Sequence, residues 1–240
     1  MRAAPDEPEF RIPDAPRVGG AVRAALVDFY FNSWRLVPAN AIWGAGLFLL
    51  VLLVFSWTLA ALLVLVLLTL PTAGLFRMAT LIVRQQPVAF SDALGAWRQF
   101  LRPALLTGLV LSIISLVLGA NMVVGFASGE PLGWALATAA AWGLVATWAV
   151  ALPFWPLLLD PVRAGVPIGD RLRVSATLVV ASPVRYAGLL LVVLVVLIAS
   201  TILFAALLTI SIAFVALLLS HYTLPAADRL EQRQTQPVFR

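Results

Sequence analysis

Few side chains in this sequence could do chemistry, and their types exclude most reactions. There is one histidine, His221, and neither lysine nor cysteine. Intramembrane hydrolysis needs a serine with a His or Lys base, two aspartates together, or a zinc set such as His-Glu-x-x-His. None of these can be assembled here, so no catalytic residue, metal ligand or cofactor is expected and the chain reads as a non-enzyme. His221, beside Tyr222, reads as an interfacial residue. Charged groups in the middle of a membrane span mark ion paths and substrate sites, and none falls there. Asn121 is the candidate for an intramembrane polar site, with Ser112, Ser115, Thr209 and Ser211 as weaker ones. A hydroxyl in a span more often bonds its own backbone or a neighbouring helix.

Two further constellations stand out. Arg77 and Asp160 follow Pro71 and Pro153 at similar distances, which sets them at similar depth. An aspartate at a helix C-terminus opposes the dipole and calls for a partner. Either Arg77 pairs with Asp160, or Asp160 caps a short helix opened by Pro161 while Arg77 reaches to the headgroups. The second constellation is Ser91 to Arg102, an amphipathic segment with Ser91 as N-cap and Leu94, Trp97 and Leu101 on one face. It reads first as an interfacial helix and second as a docking helix, with Asp92, Trp97, Arg98 and Arg102 as the candidate cytoplasmic docking face. The segment loosely resembles the coupling helix of ABC importer permeases: Gly95, Ala96 and Pro103 fit, and the leading acidic-Ala-Ala start is missing.

The elements that position these residues follow from hydropathy. Charged residues make up 11% and apolar residues 62% of the chain, against roughly a quarter and a half in soluble domains. Four stretches carry no charge: Leu36 to Phe76, Pro103 to Gly129, Pro131 to Leu159 and Tyr186 to Ala227. One crossing needs about 20 apolar residues, so the middle stretches give one span each and the outer ones two. The result is an all-α, polytopic membrane bundle of six spans, at about 37–56, 58–83, 103–127, 131–159, 183–200 and 202–222. All 16 basic residues are arginine. They lie before span one, around the connection of spans two and three, around that of four and five, or after six. The positive-inside rule then puts both termini in the cytoplasm. The basic face favours anionic lipid, and arginines split among four segments argue against nucleic acid.

Residues 1–19, with four acids and several prolines, read as a disordered cytoplasmic tail, and residues 226–240 as a second tail. Residues 20–36 read as an interfacial amphipathic helix, with Phe29, Phe31 and Trp34 on its apolar side, which Pro38 turns upward into the bilayer. Trp57 and Trp134 suit an outer aromatic belt, Trp34 and Trp97 an inner one. Gly133, Ala137 and Ala141, with Ala135, Ala139 and Gly143, give span four two close-packing faces, which predicts that it is the most enclosed helix. Leu70-Pro71 and Leu152-Pro153, Pro87/Asp92 and Pro167/Asp170, and Pro103/Gly108 and Pro183/Gly188 suggest a parallel repeat of span, cytoplasmic segment, span; chance likeness between apolar segments is the competing reading.

Phe31, Asn32 and Trp34 ahead of span one, Asn40 at its start, Pro71-Thr72-Ala73-Gly74-Leu75 followed by Arg84, and the segment Phe90 to Arg102 carry a family resemblance. From about Ala25 to Leu230 the chain resembles the YesL-like family of small bacterial membrane proteins, a domain of unknown function; Leu70 departs from the small residue anticipated there. The resemblance implies a multi-pass protein of the bacterial cytoplasmic membrane, accessory to carbohydrate uptake by ABC-type importers, whose subunits would be its partners beside the lipid bilayer. The second functional reading is a small transporter with a path between the two repeats.

Overall fold

The computed structural model describes residues 17–235. Among these every regular element is helical: α1 (Val18–Val54), α2 (Thr58–Leu67), α3 (Thr69–Val83), α4 (Phe90–Gln99), α5 (Leu101–Ala127), α6 (Pro131–Leu159), a 3-10 turn (Pro161–Arg163), α7 (Ile168–Ala181), α8 (Pro183–Ile202), the single turn α9 (Phe204–Ala206), a π segment (Leu207–Ser211) and α10 (Ile212–Thr235). Six stretches are long and apolar enough to cross a membrane: α1, α2 with α3, α5, α6, α8, and Phe204–Gln232. The chain is an all-α polytopic membrane bundle.

Several boundaries differ from the sequence reading. No separate interfacial helix precedes span one. α1 runs unbroken through Pro38, about 55 Å at 1.5 Å per residue. A helix-interior proline costs about 3 kcal/mol in isolation. Here Leu36, Ala39 and Asn40, on either side of it, are fully or almost fully buried, and this packing offsets the lost backbone bond. The anticipated tail from 226 also begins as helix, continuing α10 to Thr235. Of the anticipated first tail, residues 1–16 lie outside the described residues, and Val18 and Gly19 are already helical.

Span two is broken at Leu68, just ahead of Pro71. Pro71 has no N–H to return to Leu67. The Thr69 and Thr72 hydroxyls donate to the Val66 and Leu68 carbonyls at 2.6 and 2.8 Å, and the Trp43 indole N–H donates to Thr72 Oγ1 at 3.0 Å. α1 is thereby fixed to the break.

The most enclosed helix is the sixth span and not the fourth. Ala213, Ala216, Leu217, Leu218, Leu219 and Leu224 are fully buried, and α10 packs against α1, α3, α6, α7 and α8. Only one small-residue face of α6 is used. A methyl on Gly125 of α5 would come within 2.5 Å of the Gly133 carbonyl oxygen and 2.9 Å of Ala137, so these two helices touch backbone to backbone. On the other face Ala135 and Ala139 are exposed, and only Gly143 has a neighbour, the Leu118 side chain of α5, 3.3 Å from where a methyl would stand. The anticipated outer-belt residues Trp57 and Trp134 are exposed too, as a lipid-facing belt requires.

The order α3–α4–α5 is repeated as α6–α7–α8, each a long helix, a short amphipathic one, and a long one. The echoed glycines do not share a role, however. A methyl on Gly108 would strike Thr69, whereas Gly188 has open space around it.

Candidate functional site: a charged clasp at the arginine-rich end

Five elements meet where α3 and α6 end. α6 leaves its last carbonyls without intrahelical partners, and cationic and hydroxyl donors from neighbours fill them. Arg77 Nη1 donates to the Leu159 carbonyl at 2.9 Å and Thr80 Oγ1 to the same oxygen at 3.1 Å. Arg171, on α7, donates to the Leu158 carbonyl at 2.7 Å and to the Arg163 and Ala164 carbonyls at 2.5 and 3.0 Å. Positive charge at this end also complements the helix dipole.

Asp160 follows directly. Its carboxylate accepts the Val162 N–H at 3.2 Å and so caps the 3-10 turn that Pro161 opens. Of the two readings of Asp160, the cap on the turn opened by Pro161 is the one found, and the Arg77–Asp160 pair is not formed. Arg77 is spent on the Leu159 carbonyl, and the carboxylate is held by Arg84 and Arg163. Arg84 grips it with two bonds, Nε to Oδ1 at 3.1 Å and Nη2 to Oδ2 at 2.6 Å; Arg163 Nη1 bonds Oδ2. The Asp160 side chain has no solvent exposure.

The C-terminal helix closes the cluster. Asp228 accepts from Arg84 at 2.7 and 3.0 Å and from Arg163 at 2.7 Å, while Glu231 accepts from Arg163 at 3.0 and 2.9 Å. Two guanidinium groups thus serve three carboxylates from α6 and α10. Burial works against both arginine charges, and the hydrogen bonds more than offset it: those to Asp228 and Asp160 raise the Arg84 pKa above its ordinary value, and those to Glu231 and Asp228 raise that of Arg163. For Arg171, bonded only to carbonyls, burial prevails and lowers the pKa, with the Asp160 charge acting the other way. The arrangement ties α3, α6, the 3-10 turn, α7 and α10 together.

The remaining sequence candidates are dispersed. Asn121 is exposed on α5 and so does not face an interior path, because only Ala104, Gly108 and Gly125 of that helix are buried. On α4 the N-cap is Ala89 and not Ser91, with Asp92 accepting the Ala89 N–H at 2.7 Å. Its packed face is Ala93, Ala96 and Trp97 rather than Leu94, Trp97 and Leu101. The reason is Gly74 of α3: a methyl there would lie 2.8 Å from Trp97 Nε1, so the glycine lets the indole sit against α3. Trp97 is therefore largely withdrawn from the anticipated docking face, whereas Arg98 and Arg102 remain exposed.

Two polar sites were not singled out from the sequence as functional groups. Asn40 is fully buried; its amide donates to the Leu208 carbonyl at 2.9 Å and the Leu207 carbonyl at 3.4 Å and accepts the Ala213 N–H at 2.8 Å. It repairs the backbone of the π segment, and Gly44, one turn on, allows the approach: a methyl there would lie 2.4 Å from the Leu208 oxygen. His221 meets Asp28 of α1 at 2.7 Å, a helix-to-helix contact rather than a solitary interfacial side chain. An asparagine four residues before a glycine in an apolar run was the available signal for the first; the second had none, since its partners are far apart in sequence. Among the described residues no group of three or more His, Cys, Asp and Glu could hold a metal ion. Compared with family models, curated proteins and solved structures, the chain matches none.

Proposed function

We propose that this chain is a non-enzymatic, multi-pass component of the bacterial cytoplasmic membrane, accessory to carbohydrate uptake of the ABC type, which presents its arginine-rich end to importer subunits. The observation that carries the non-enzymatic part is the placement of charge. The interior charged groups of the clasp are bonded to one another or to backbone carbonyls at one end, and three of the polar groups that would line a path are exposed or bonded to their own helix. Asn121 faces outward, and the Thr209 and Ser211 hydroxyls donate to the Ala205 and Ala206 carbonyls of their own helix. The importer as partner follows from the resemblance to the YesL-like family, and the exposed Arg98 and Arg102 suit a docking role. Affinity purification of the full chain from mild detergent tests this: importer subunits are expected to accompany it, and their repeated absence would sink the reading.

A small transporter is the second reading, and one observation favours it. Broken helices with a polar partner deep in a span form substrate and ion sites in many transporters, and Asn40 on the π segment is such a place. Uptake of sugar by vesicles containing this protein alone would establish it over the accessory role.

A further inference from the structure

The acids at the arginine-rich end are largely used up inside the protein. Asp160, Asp228 and Glu231 bind Arg84 and Arg163, Asp28 binds His221, and Asp92 caps its own helix. Several exposed arginines stay outside this set, Arg23, Arg98, Arg102, Arg173 and Arg185 among them, and of these Arg98 and Arg102 share one corner of the fold. Arg98 and Arg102 are exposed at the corner where α4 turns into α5, with no carboxylate bonded to either. They alternate with Leu94 and Leu101, 40% and 44% exposed, so cationic and apolar side chains share one outward surface. Leu101 is the first residue of a membrane-spanning helix, which puts this surface at the level where α5 leaves the hydrocarbon.

The neighbouring helix supports the same depth. α1 packs against α4 and carries its own exposed stripe of Leu26, Tyr30, Phe31 and Trp34. Asp28, at the same level of α1 but on the face that meets α10, contacts His221, two turns up α10 from the Asp228 carboxylate of the clasp. The stripe therefore lies on the membrane side of the charged cluster, beside lipid.

We propose that the α4–α5 corner is a headgroup site for an anionic phospholipid, with the Arg98 and Arg102 guanidinium groups on its phosphate and Leu94 and Leu101 against the first carbons of its acyl chains. Guanidinium binds phosphate through paired N–H groups. A free anion would make no use of the two leucines, and a nucleic acid would not lie against hydrocarbon. The corresponding corner of the second repeat is arranged differently: Asp170 stands one turn before Arg173 on α7, Arg171 is buried, and Arg185 lies beside Tyr222. This assignment requires only the membrane fold and is independent of the importer as partner.

The test uses the full chain, delipidated in nonionic detergent and titrated with dioleoylphosphatidylglycerol or dioleoylphosphatidylcholine, with bound lipid counted by native mass spectrometry. Phosphatidylglycerol is expected to be retained in preference. About 1 kcal/mol per arginine near an anionic surface is roughly fivefold in affinity, so R98Q/R102Q is expected to lower phosphatidylglycerol affinity about twentyfold. Its thermal midpoint should stay that of the parent, since both side chains are exposed, and R173Q should change affinity by no more than about twofold. Unchanged affinity in R98Q/R102Q, equal retention of the two lipids, or displacement by millimolar inorganic phosphate would each overturn the assignment. So would loss of a co-purifying protein from R98Q/R102Q with the lipid count unaltered, which would make the corner a protein-docking face.

Discussion

Replacing Asp160 by asparagine tests whether the clasp holds the helices together. The amide keeps an oxygen for the Val162 N–H and nearly the same volume, so the cap on the 3-10 turn survives and only the charge is lost. Arg163, whose side chain is 5% exposed, then loses one of three carboxylates, and Arg84, 19% exposed, one of two. Breaking a buried pair costs about 3–5 kcal/mol when the remaining charge has no other partner. Asp228 and Glu231 still neutralise both arginines here, so we expect a loss of about 2–3 kcal/mol. Glu231 provides the internal comparison: at 45% exposure its pair is screened by solvent, and Glu231→Gln should cost about 1 kcal/mol or less. The assay is reversible unfolding in mixed micelles with increasing dodecyl sulfate, read by tryptophan fluorescence. A double-mutant cycle between Asp160→Asn and Arg84→Gln isolates the pair, with coupling of about 1–3 kcal/mol expected. An Asp160→Asn loss no larger than that of Glu231→Gln, or coupling near zero, would refute the reasoning and leave the cluster an ornament of a bundle held by other contacts.

Three further outcomes can be checked with ordinary variants. Asn40→Leu should lower stability in the same micelle assay by about 1–2 kcal/mol, because two carbonyls and an N–H of the π segment lose their partner, whereas Asn121→Leu should change it by less than about 0.5 kcal/mol; equal effects would contradict the interior position of Asn40. Gly44→Leu should be worse than Asn40→Leu, since its side chain would have to enter the space held by the Leu208 backbone, and a stable, monodisperse Gly44→Leu protein would show that α1 and the π segment are not in contact. The chain has no cysteine, so Ser91→Cys and Glu130→Cys are clean reporters; impermeant maleimide should reach them from opposite sides of sealed vesicles, and labelling from one side would overturn the order of crossings.

The fold was legible because lipid as solvent leaves a coarse record. Charge-free stretches gave six spans, and α6 begins and ends where Pro131 and Leu159 suggested. What failed was inference from one residue about a helix's surroundings. Pro38 predicts a turn if read alone, but the burial of its neighbours keeps α1 helical through it. The alanines and glycines of span four predict two packed faces, but a small residue permits a close neighbour without supplying one, and only α5 takes the offer. The clasp was half legible. Asp160 needed a cationic partner by the dipole argument, and depth made Arg77 the nearest candidate in sequence logic. Depth alone cannot tell which of several arginines at one level faces the carboxylate, and Arg84 and Arg163 are a helix turn or two away along the chain but closer in the fold.

A common cause connects the polar residues that did matter. A backbone group released from its helix bond inside a bilayer finds no water, so a neighbour must supply the missing partner. Two interruptions in this bundle have one: at the π segment the partner is Asn40, and at the end of α6 the partners are Arg77, Thr80 and Arg171. In both cases a donor comes from a different span, so repairing the backbone also fixes which helices are adjacent. Near Pro71 the Thr69 and Thr72 hydroxyls bond the Val66 and Leu68 carbonyls, on either side of the one the proline leaves free. The buried side chains of Asn40, Thr80 and Arg171 are thus explained first by the nearest broken helix. Asn121 has no break to repair, and its exposure on α5 agrees with that.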